Sequence, residues 1–190
     1  MAAASSIRKS NQAYLDSTES GVIDDLSEVF PLTSSGTEWR GVSDRLQGGT
    51  SEGIIKREVV DEKTANVLVG SGLIQMVTEL SKDFSKGTVD ASEYDGIELD
   101  VLSKESLNFN VHLRTQDPEQ EASYRHTVDL ECLFAWQTIR IPFSSFLDEN
   151  NMHWPCNIIS RSLSMVLSSP GFASNAANSG IALSYCFRAY

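Results

Sequence analysis

The chain has 190 residues, of which 41% are hydrophobic and 22% charged, and this length and composition are typical of one globular domain. Fifteen basic residues against 26 acidic ones give a formal net charge of -11, which makes nucleic acid a poor candidate partner because its phosphates would be repelled. The three cysteines are far apart and form no CxxC motif, which excludes a complete disulfide framework, disfavours zinc and favours a reducing compartment.

The N-terminal residues 1–20 are interpreted as a flexible segment, and residues 21–190 as a single domain. The start lacks the apolar core of a secretory signal, but it has the Ser/Ala-rich, acid-poor composition of an organelle transit peptide. No apolar run approaches the roughly 20 residues that span a bilayer. We therefore expect an organellar protein that is soluble or peripheral to a membrane, and not a transmembrane one.

The entry into the domain has two interpretations. Ile23, Leu26, Val29 and Phe30 recur at helical spacing before Pro31, which predicts a short helix. The alternative is an extended or irregular lead-in.

The next segment, WRGVSDRLQGGTSEG from Trp39 to Gly53, contains four glycines. It lacks the GxxxxGK pattern and is followed by a strand pattern, which disfavours a phosphate-binding loop. We expect Gly48 and Gly49 to allow a positive φ or the close approach of two chain segments. We expect Asp44 and Ser51 to bond nearby backbone amides, so the segment is interpreted as architectural.

From Ile54 onward, apolar and polar residues alternate at period two, most clearly in LNFNVHLR at 107–114. Turn-forming clusters separate these runs, and no helical pattern lies between them. The strand candidates are 54–60, 66–70, 74–80, 97–101, 107–114, 138–143, 163–167 and 181–187. Eight or nine such strands predict an all-β fold, with two antiparallel sheets packed as a sandwich or jelly roll.

No residue pattern argues for catalysis. Serines are so abundant that a Ser/His/Asp trio could be drawn almost anywhere, and no GxSxG motif is present. We therefore expect no enzymatic activity, no metal centre and no cofactor.

Two sets of residues are candidates for binding. Asn108, Asn110, His112 and Arg114 share one face of a predicted strand, and Arg140 and Arg161 are candidates to join them from other strands. His126 is also a candidate to approach His112 across paired strands. Such a stripe is either a site for a sugar or protein partner or the ordinary wet face of a sheet, and both interpretations stay open.

The second set consists of tryptophans, which can stack on sugar rings. Trp136 begins an alternating strand and is interpreted as core. Trp154 lies in the predicted loop NMHWP, so it is the tryptophan we expect to be exposed.

The glycine-rich segment resembles the motif W-x-x-V-x-D-x-V-M-G-G-x-S-x-G of the complex I intermediate-associated protein 30 family. The sequence has Leu46 and Gln47 where the family has valine and methionine. The matching positions are Trp39, Val42, Asp44, Gly48, Gly49, Ser51 and Gly53. Further blocks resemble the family in order, namely YDGIEL at 94–99, FNVHLRT at 109–115 and WQTIRIPFSSF at 136–146.

This resemblance covers roughly residues 24–190 and implies a galactose-binding-like β-sandwich with an assembly function. It implies protein partners, namely subunits of a membrane-associated complex in mitochondria (matrix) or plastids (stroma or thylakoid). The leading hypothesis is thus a non-enzymatic assembly factor or accessory subunit of respiratory complex I or a photosynthetic complex. The alternative is a carbohydrate-binding jelly-roll module that uses Trp154 and the polar strand.

Overall fold

The computed structural model describes residues 21–80, 91, 94–103, 106–115, 123–130, 133–150, 160–167 and 180–189. These residues form eleven β-strands and two short 3₁₀ helices. The strands are β1 Val22–Asp24, β2 Arg40–Ser43, β3 Glu52–Val60, β4 Lys63–Ser71, β5 Ile74–Glu79, β6 Gly96–Ser103, β7 Leu107–Thr115, β8 Ser123–Leu130, β9 Leu133–Pro142, β10 Ser160–Leu167 and β11 Gly180–Ala189. The segment 1–20 lies outside the described residues.

The strands form two antiparallel sheets. One sheet has six strands in the order β3-β4-β11-β6-β9, with β1 also pairing with β11, and the other has five strands in the order β2-β5-β10-β7-β8. Strands that are distant in sequence are therefore neighbours: β11, near the C-terminus, lies between β4 and β6. The predicted all-β sandwich or jelly roll is confirmed.

One hydrophobic core lies between the sheets because inward-facing residues alternate along the strands. Leu99 and Ile141 face it from the six-stranded sheet, and Met76, Phe109 and Val111 face it from the five-stranded sheet. All five are at most 1% exposed. The alternation read from the sequence at 107–114 thus places the polar residues of β7 on the outer face of their sheet.

The lead-in to the domain is irregular, not helical. After β1, Leu26 has a φ of 62°, which a right-handed helix does not permit. Asp24 Oδ1 accepts the N–H of Leu26, and Asp25 Oδ1 accepts the N–H of Ser27, so two successive Asp side chains turn the chain. Phe30 still packs against the core, but Val29 is 81% exposed. The helical spacing was therefore coincidental.

A buried carboxylate connects this lead-in to both sheets. Asp24 is 2% exposed, and its Oδ2 accepts hydrogen bonds from Trp39 Nε1 at 2.6 Å, Arg57 Nη2 at 3.0 Å and Asn66 Nδ2 at 3.3 Å. The Oδ1 atom accepts two backbone N–H groups. Every donor comes from a different part of the chain, so this one side chain fixes the relative positions of β1, β3, β4 and the segment before β2.

Arg57, the partner of Asp24, is also largely enclosed. Its Nε donates to Asn66 Oδ1 at 2.9 Å, its Nη1 donates to the carbonyl of Glu28, and its guanidinium lies 5.8 Å from the centre of the Phe30 ring. The side chains of Arg57 and Asp24 are 9% and 1% exposed. Such a pair contributes little net free energy by comparison with apolar packing, but it is costly to break on one side only.

We predict that Arg57→Met destabilises the fold strongly, because it leaves the Asp24 carboxylate buried without its counter-charge. The expected loss in the free energy of unfolding is about 3 to 5 kcal/mol, measured by urea denaturation at pH 7. Arg45→Met is the matched control, since Arg45 pairs with Glu52 at 3.4 Å in an exposed position. Its expected cost is within about 0.5 kcal/mol. Equal losses in the two variants would contradict the role of the buried pair.

Candidate functional site

The glycine-rich segment forms a compact corner between the two sheets. It runs from β2 through the 3₁₀ helix Asp44–Gln47 and ends in β3. Gly48 ends the helix with a φ of 86°, and its N–H donates to the carbonyl of Arg45 at 3.1 Å. This left-handed conformation is the reason for glycine at 48, because a side chain there is strained even though the space is open.

Asp44 holds the middle of the corner from two sides. Its carbonyl accepts the N–H of Gly49 at 3.0 Å, and its Oδ1 accepts the N–H of Ser51 at 3.1 Å. A Cβ at position 49 would lie 2.1 Å from Asp44 Cγ. Gly49 is therefore needed for close approach, and the carboxylate is used within the loop.

Ser51 and Gly53 connect the corner to β5. Ser51 is 5% exposed, and its Oγ accepts the N–H of Leu73 at 2.8 Å. A Cβ at position 53 would lie 2.7 Å from Ile74 Cγ2. Trp39 is bonded to Asp24, so all the matching motif positions except Val42 have a structural task. The polar side chains among them are not left as unused ligand groups.

The polar stripe, which we define as Asn108, Asn110, His112 and Arg114, lies on the outer face of the five-stranded sheet. Asn108 and Arg114 are exposed, and Asn110 and His112 are half-buried. Their partners on β8 lie on the same face, since directly opposed residues of an antiparallel pair share a face. These partners are Asp129, Thr127, Arg125 and Ser123, in that order.

Hydrogen bonds fix the middle of the stripe. Thr127 Oγ1 donates to Asn110 Oδ1 at 2.7 Å, and His112 Nδ1 lies 3.2 Å from Ser123 Oγ. Burial, followed by the positive charges of Arg114 and Arg125, lowers the pKa of His112 from 6.5 to about 4. The imidazole is therefore neutral at physiological pH and lies between two cationic groups.

The structure does not bring Arg140 to the stripe. Arg140 lies on β9 in the other sheet, where its Nε donates to Glu98 Oε2 at 2.7 Å. The alternating pattern correctly indicated which side chains of each strand face solvent. It contained no information on which of the two sheets each strand joins. Arg161 is on β10, and its side chain is outside what the structure describes.

The two histidines are also separated. His126 is directly opposite the buried Val111, so it faces inward, and its ring lies 5.9 Å from that of Phe146. His112 is opposite Arg125 and faces outward. The paired strands were inferred correctly, but the register places the rings on opposite faces.

Of the three tryptophans that are candidates for sugar stacking, Trp39 is buried and Trp154 lies outside the described residues. Trp136 is half-buried on the outer face of the six-stranded sheet, with Lys63 Nζ 5.4 Å from the centre of its ring. It packs against Ala65, Val67 and Leu102, which form a small second apolar cluster. Trp136 therefore lies neither in the main core nor near the polar stripe.

The sequence reading missed the polar residues of β8, because SYRHTVDL contains a histidine at an inward position. The signal was present: Tyr124, Val128 and Leu130 are buried and share one face. Reading them as an alternating set would have placed Arg125 and Asp129 beside the stripe. Among the described residues, no three His, Cys, Asp or Glu side chains are grouped closely enough to hold a metal ion.

The fold and its outer faces define a class, the β-sandwich found in carbohydrate-binding modules. The family 11 carbohydrate-binding module of a cellulosomal cellulase of Clostridium thermocellum is 17% identical, with a TM-score of 0.54 over 86% of this chain and 89% of that chain. The same family's module from this organism in complex with a β-1,3-1,4-mixed-linked tetrasaccharide is 16% identical, with a TM-score of 0.55 and coverage of 86% and 91%. A family 30 module from a cellulosomal cellulase of Clostridium thermocellum is 18% identical, with a TM-score of 0.50 and coverage of 73% and 84%. At these identities the likeness establishes the fold alone.

The sequence itself identifies the family. Residues 29–153 match the model of complex I intermediate-associated protein 30, which covers the glycine-rich corner, the polar stripe and β9. The chain belongs to this family, as the ordered motifs predicted. The comparison with curated proteins gave no match.

We predict that Gly49→Ala and Asp44→Ala are coupled, because the added methyl group and the Asp44 carboxylate compete for the same space. In a double-mutant cycle, the double variant should lose less free energy of unfolding than the sum of the single losses, by about 1 to 3 kcal/mol. Gly48→Ala is the control: its strain should cost about 1 to 2 kcal/mol and should add to the cost of Asp44→Ala. If the losses of Gly49→Ala and Asp44→Ala are instead additive, the added methyl group does not compete with the Asp44 carboxylate, and the prediction is wrong.

We predict that His112 makes the fold less stable as the pH falls. Its pKa is lower in the folded state than the ordinary 6.5, so the unfolded chain binds more protons between pH 6.5 and about 4, and stability decreases through that window. In urea denaturation between pH 7 and 4, the free energy of unfolding of His112→Gln should depend less on pH than that of the unmodified protein. Arg125→Gln should raise the pKa of His112 in an NMR titration. An imidazole that titrates near 6.5 in the unmodified protein would contradict this reading.

Proposed function

We propose that the protein is a non-enzymatic assembly factor or accessory subunit that binds a protein partner of an organellar membrane complex. This proposal rests on the match of residues 29–153 to the complex I intermediate-associated protein 30 family. Respiratory complex I is thus the first candidate for the assembly, and a photosynthetic complex is the second. The proposed compartment is correspondingly the mitochondrial matrix or the plastid stroma and thylakoid surface.

The geometry of the corner supports a scaffold function. The polar groups of Asp24, Asp44 and Ser51 are all engaged with the protein's own backbone or side chains. Close packing at Gly49 and Gly53 leaves no room even for a methyl group without movement. What the family motif produces here is a rigid sandwich, and a rigid sandwich presents its outer faces to a partner at little entropic cost.

The contact between His112 and Ser123 is the arrangement nearest to catalytic chemistry on the polar stripe. A serine nucleophile needs a base that becomes imidazolium, oriented by a carboxylate. Here Arg114 and Arg125 flank the ring instead, and burial together with their positive charges lowers the pKa of His112 to about 4. Asp129 is opposite Asn108, four residues along β8 from Arg125. This electrostatic environment opposes the charge that general-base catalysis would create, which supports a binding function.

The proposed association with a membrane complex is peripheral. In the part of the chain that the structure describes, no helix has the length and apolar content needed to cross a bilayer. The contact would therefore be made with exposed portions of the complex.

We expect the tagged protein, purified from its native cells in mild detergent, to co-migrate on a native gel with subunits of a respiratory or photosynthetic complex. The size of that species would separate an assembly intermediate from the finished complex. Arg114→Glu would test whether the polar stripe makes the contact, with Arg140→Glu on the other sheet as the matched control. Recovery as a lone species under all conditions would contradict the proposal.

Carbohydrate binding is the second candidate function. It is favoured by the polar stripe on an outer sheet face, which offers amide, imidazole and guanidinium groups suited to hydroxyl groups. Against it, the described residues of that face include no Phe, Tyr or Trp side chain on which a sugar ring could stack. Trp154 would have to supply that contact.

Under the main proposal, we expect no specific retention on a glycan array that includes mixed-linked β-glucan oligosaccharides. Asn108→Ala, Arg114→Ala and Trp154→Ala should leave any background signal unchanged. Tight retention that these substitutions abolish, together with failure to recover a protein partner, would favour the carbohydrate-binding function.

A further inference from the structure

Strand β3 is the free edge of the six-stranded sheet. All nine of its residues pair with β4, and β3 ends the order of strands. Within the described ranges, no backbone hydrogen bond joins its other side to any segment. A long edge of this kind is a template for pairing with another strand.

The turn that follows β3 shows which backbone groups point outward. Val60 pairs with Lys63 across the two-residue loop Asp61-Glu62, whose φ values are 47° and 67°. A loop of this length with two positive φ values is a type I′ hairpin turn, so Val60 and Lys63 form a hydrogen-bonded pair. Hydrogen-bonded and non-hydrogen-bonded pairs then alternate along the ladder. The N–H and C=O groups of the residues at 55, 57 and 59 therefore point away from β4.

The side chains of this edge only partly follow the usual protection against pairing, which relies on charges, proline or bulges. Ile54 is 60% exposed and Val59 is 71% exposed, so large apolar side chains flank the charged ones. The only charged residues with exposed side chains between them are Lys56 and Glu58, whose Nζ and Oε2 atoms are 2.7 Å apart. They have opposite signs and are two residues apart, on the same face of the strand.

The sequence of the edge, IIKREVV at 54–60, is complementary to itself when it is reversed about Arg57. In an antiparallel pair of two β3 strands centred on Arg57, Lys56 is opposite Glu58 of the other copy, twice by symmetry. Ile54 is then opposite Val60, and Ile55 is opposite Val59. Opposite charges stabilise cross-strand neighbours, and β-branched side chains pack well against their neighbours on a pleated sheet.

Neighbouring registers do not have this property. Centring on Lys56 places two lysines against each other, and centring on Glu58 places two glutamates against each other. Like charges directly opposed are destabilising. The register about Arg57 also opposes 57 to 57 and 55 to 59, which are the positions with outward-pointing backbone groups, so the required hydrogen bonds can form. The proposed register also opposes the two Arg57 residues, but the charge of each is neutralised by the Asp24 carboxylate of its own copy at 3.0 Å.

We propose that the protein forms a two-fold symmetric dimer in which β3 of one copy pairs antiparallel with β3 of a second copy about Arg57. The two six-stranded sheets become one continuous sheet, and the exposed side chains of Ile54 and Val59 are covered. The contact is isologous, so it closes at two copies and does not propagate. This inference does not depend on the proposed function.

The first test is sedimentation equilibrium of the whole chain from about 1 to about 200 µM, since a contact made mainly by one strand pair lies at the small, weak end of interfaces. We expect a monomer–dimer equilibrium. Lys56→Glu or Glu58→Lys alone places like charges opposite each other twice, and should weaken dimerisation at least about tenfold. The double exchange, Lys56→Glu with Glu58→Lys, restores complementarity and should restore the dimer.

Arg140→Glu is the matched control for Lys56→Glu, because it makes the same change in net charge on β9, at the other end of the same sheet. It should leave the equilibrium unchanged. A monomer over the whole range would overturn the proposal, as would a dimer that is insensitive to the single charge changes. Single changes that are not rescued by the double exchange would overturn the register.

Amide hydrogen exchange supplies an independent readout. On raising the protein concentration, the N–H groups of Ile55, Arg57 and Val59 should gain protection. Those of Ile54, Lys56 and Glu58 already point toward β4, so they should change little. Equal changes in both sets would indicate a dimer made through a different contact.

Discussion

The fold depends first on the burial of one negative charge. Asp24 contacts groups from the lead-in, from the segment before β2, from β3 and from β4, and its side chain is 1% exposed. A carboxylate in such a place must be fully hydrogen-bonded and neutralised, or the fold would not tolerate it. Because the donors are satisfied together, the position of each segment depends on the others. Trp39, Arg57 and Asn66 are thereby oriented, and the corner that starts at Trp39 begins from a fixed point.

In the corner that follows Trp39, close packing of the chain against itself fixes the backbone further. Gly48 reverses the chain with a positive φ, Gly49 lies against the Asp44 carboxylate, and Ser51 bonds the start of β5. The residues of the family motif thus form the connection between the two sheets at one end of the sandwich. The outer faces and the free edge of β3 are thus the surfaces left for contact with a partner.

The outer faces of the two sheets differ in character. One carries the polar stripe, where burial and the charges of two arginines lower the pKa of His112 and keep it neutral. The other carries a small apolar cluster under Trp136 and Lys63, with the ion pair of Glu98 and Arg140 farther along β6 and β9. Since the core separates them, a partner that covers one face does not touch the other. The two faces and the open edge of β3 therefore differ in the chemistry that they offer to the proposed partner.

The sequence by itself determined the alternation of β7, the all-β class and the architectural use of Gly48, Gly49, Asp44 and Ser51, because these follow from local backbone geometry and side-chain period. It also carried the family motif. It did not determine that Arg140 lies apart from the polar stripe, that His126 faces inward, or that 23–30 is irregular. Those outcomes depend on strand order, on register and on a buried carboxylate that binds residues 15 to 42 positions away. Only the tertiary structure decides such long-range pairings, since period-two patterns are identical for strands in either sheet.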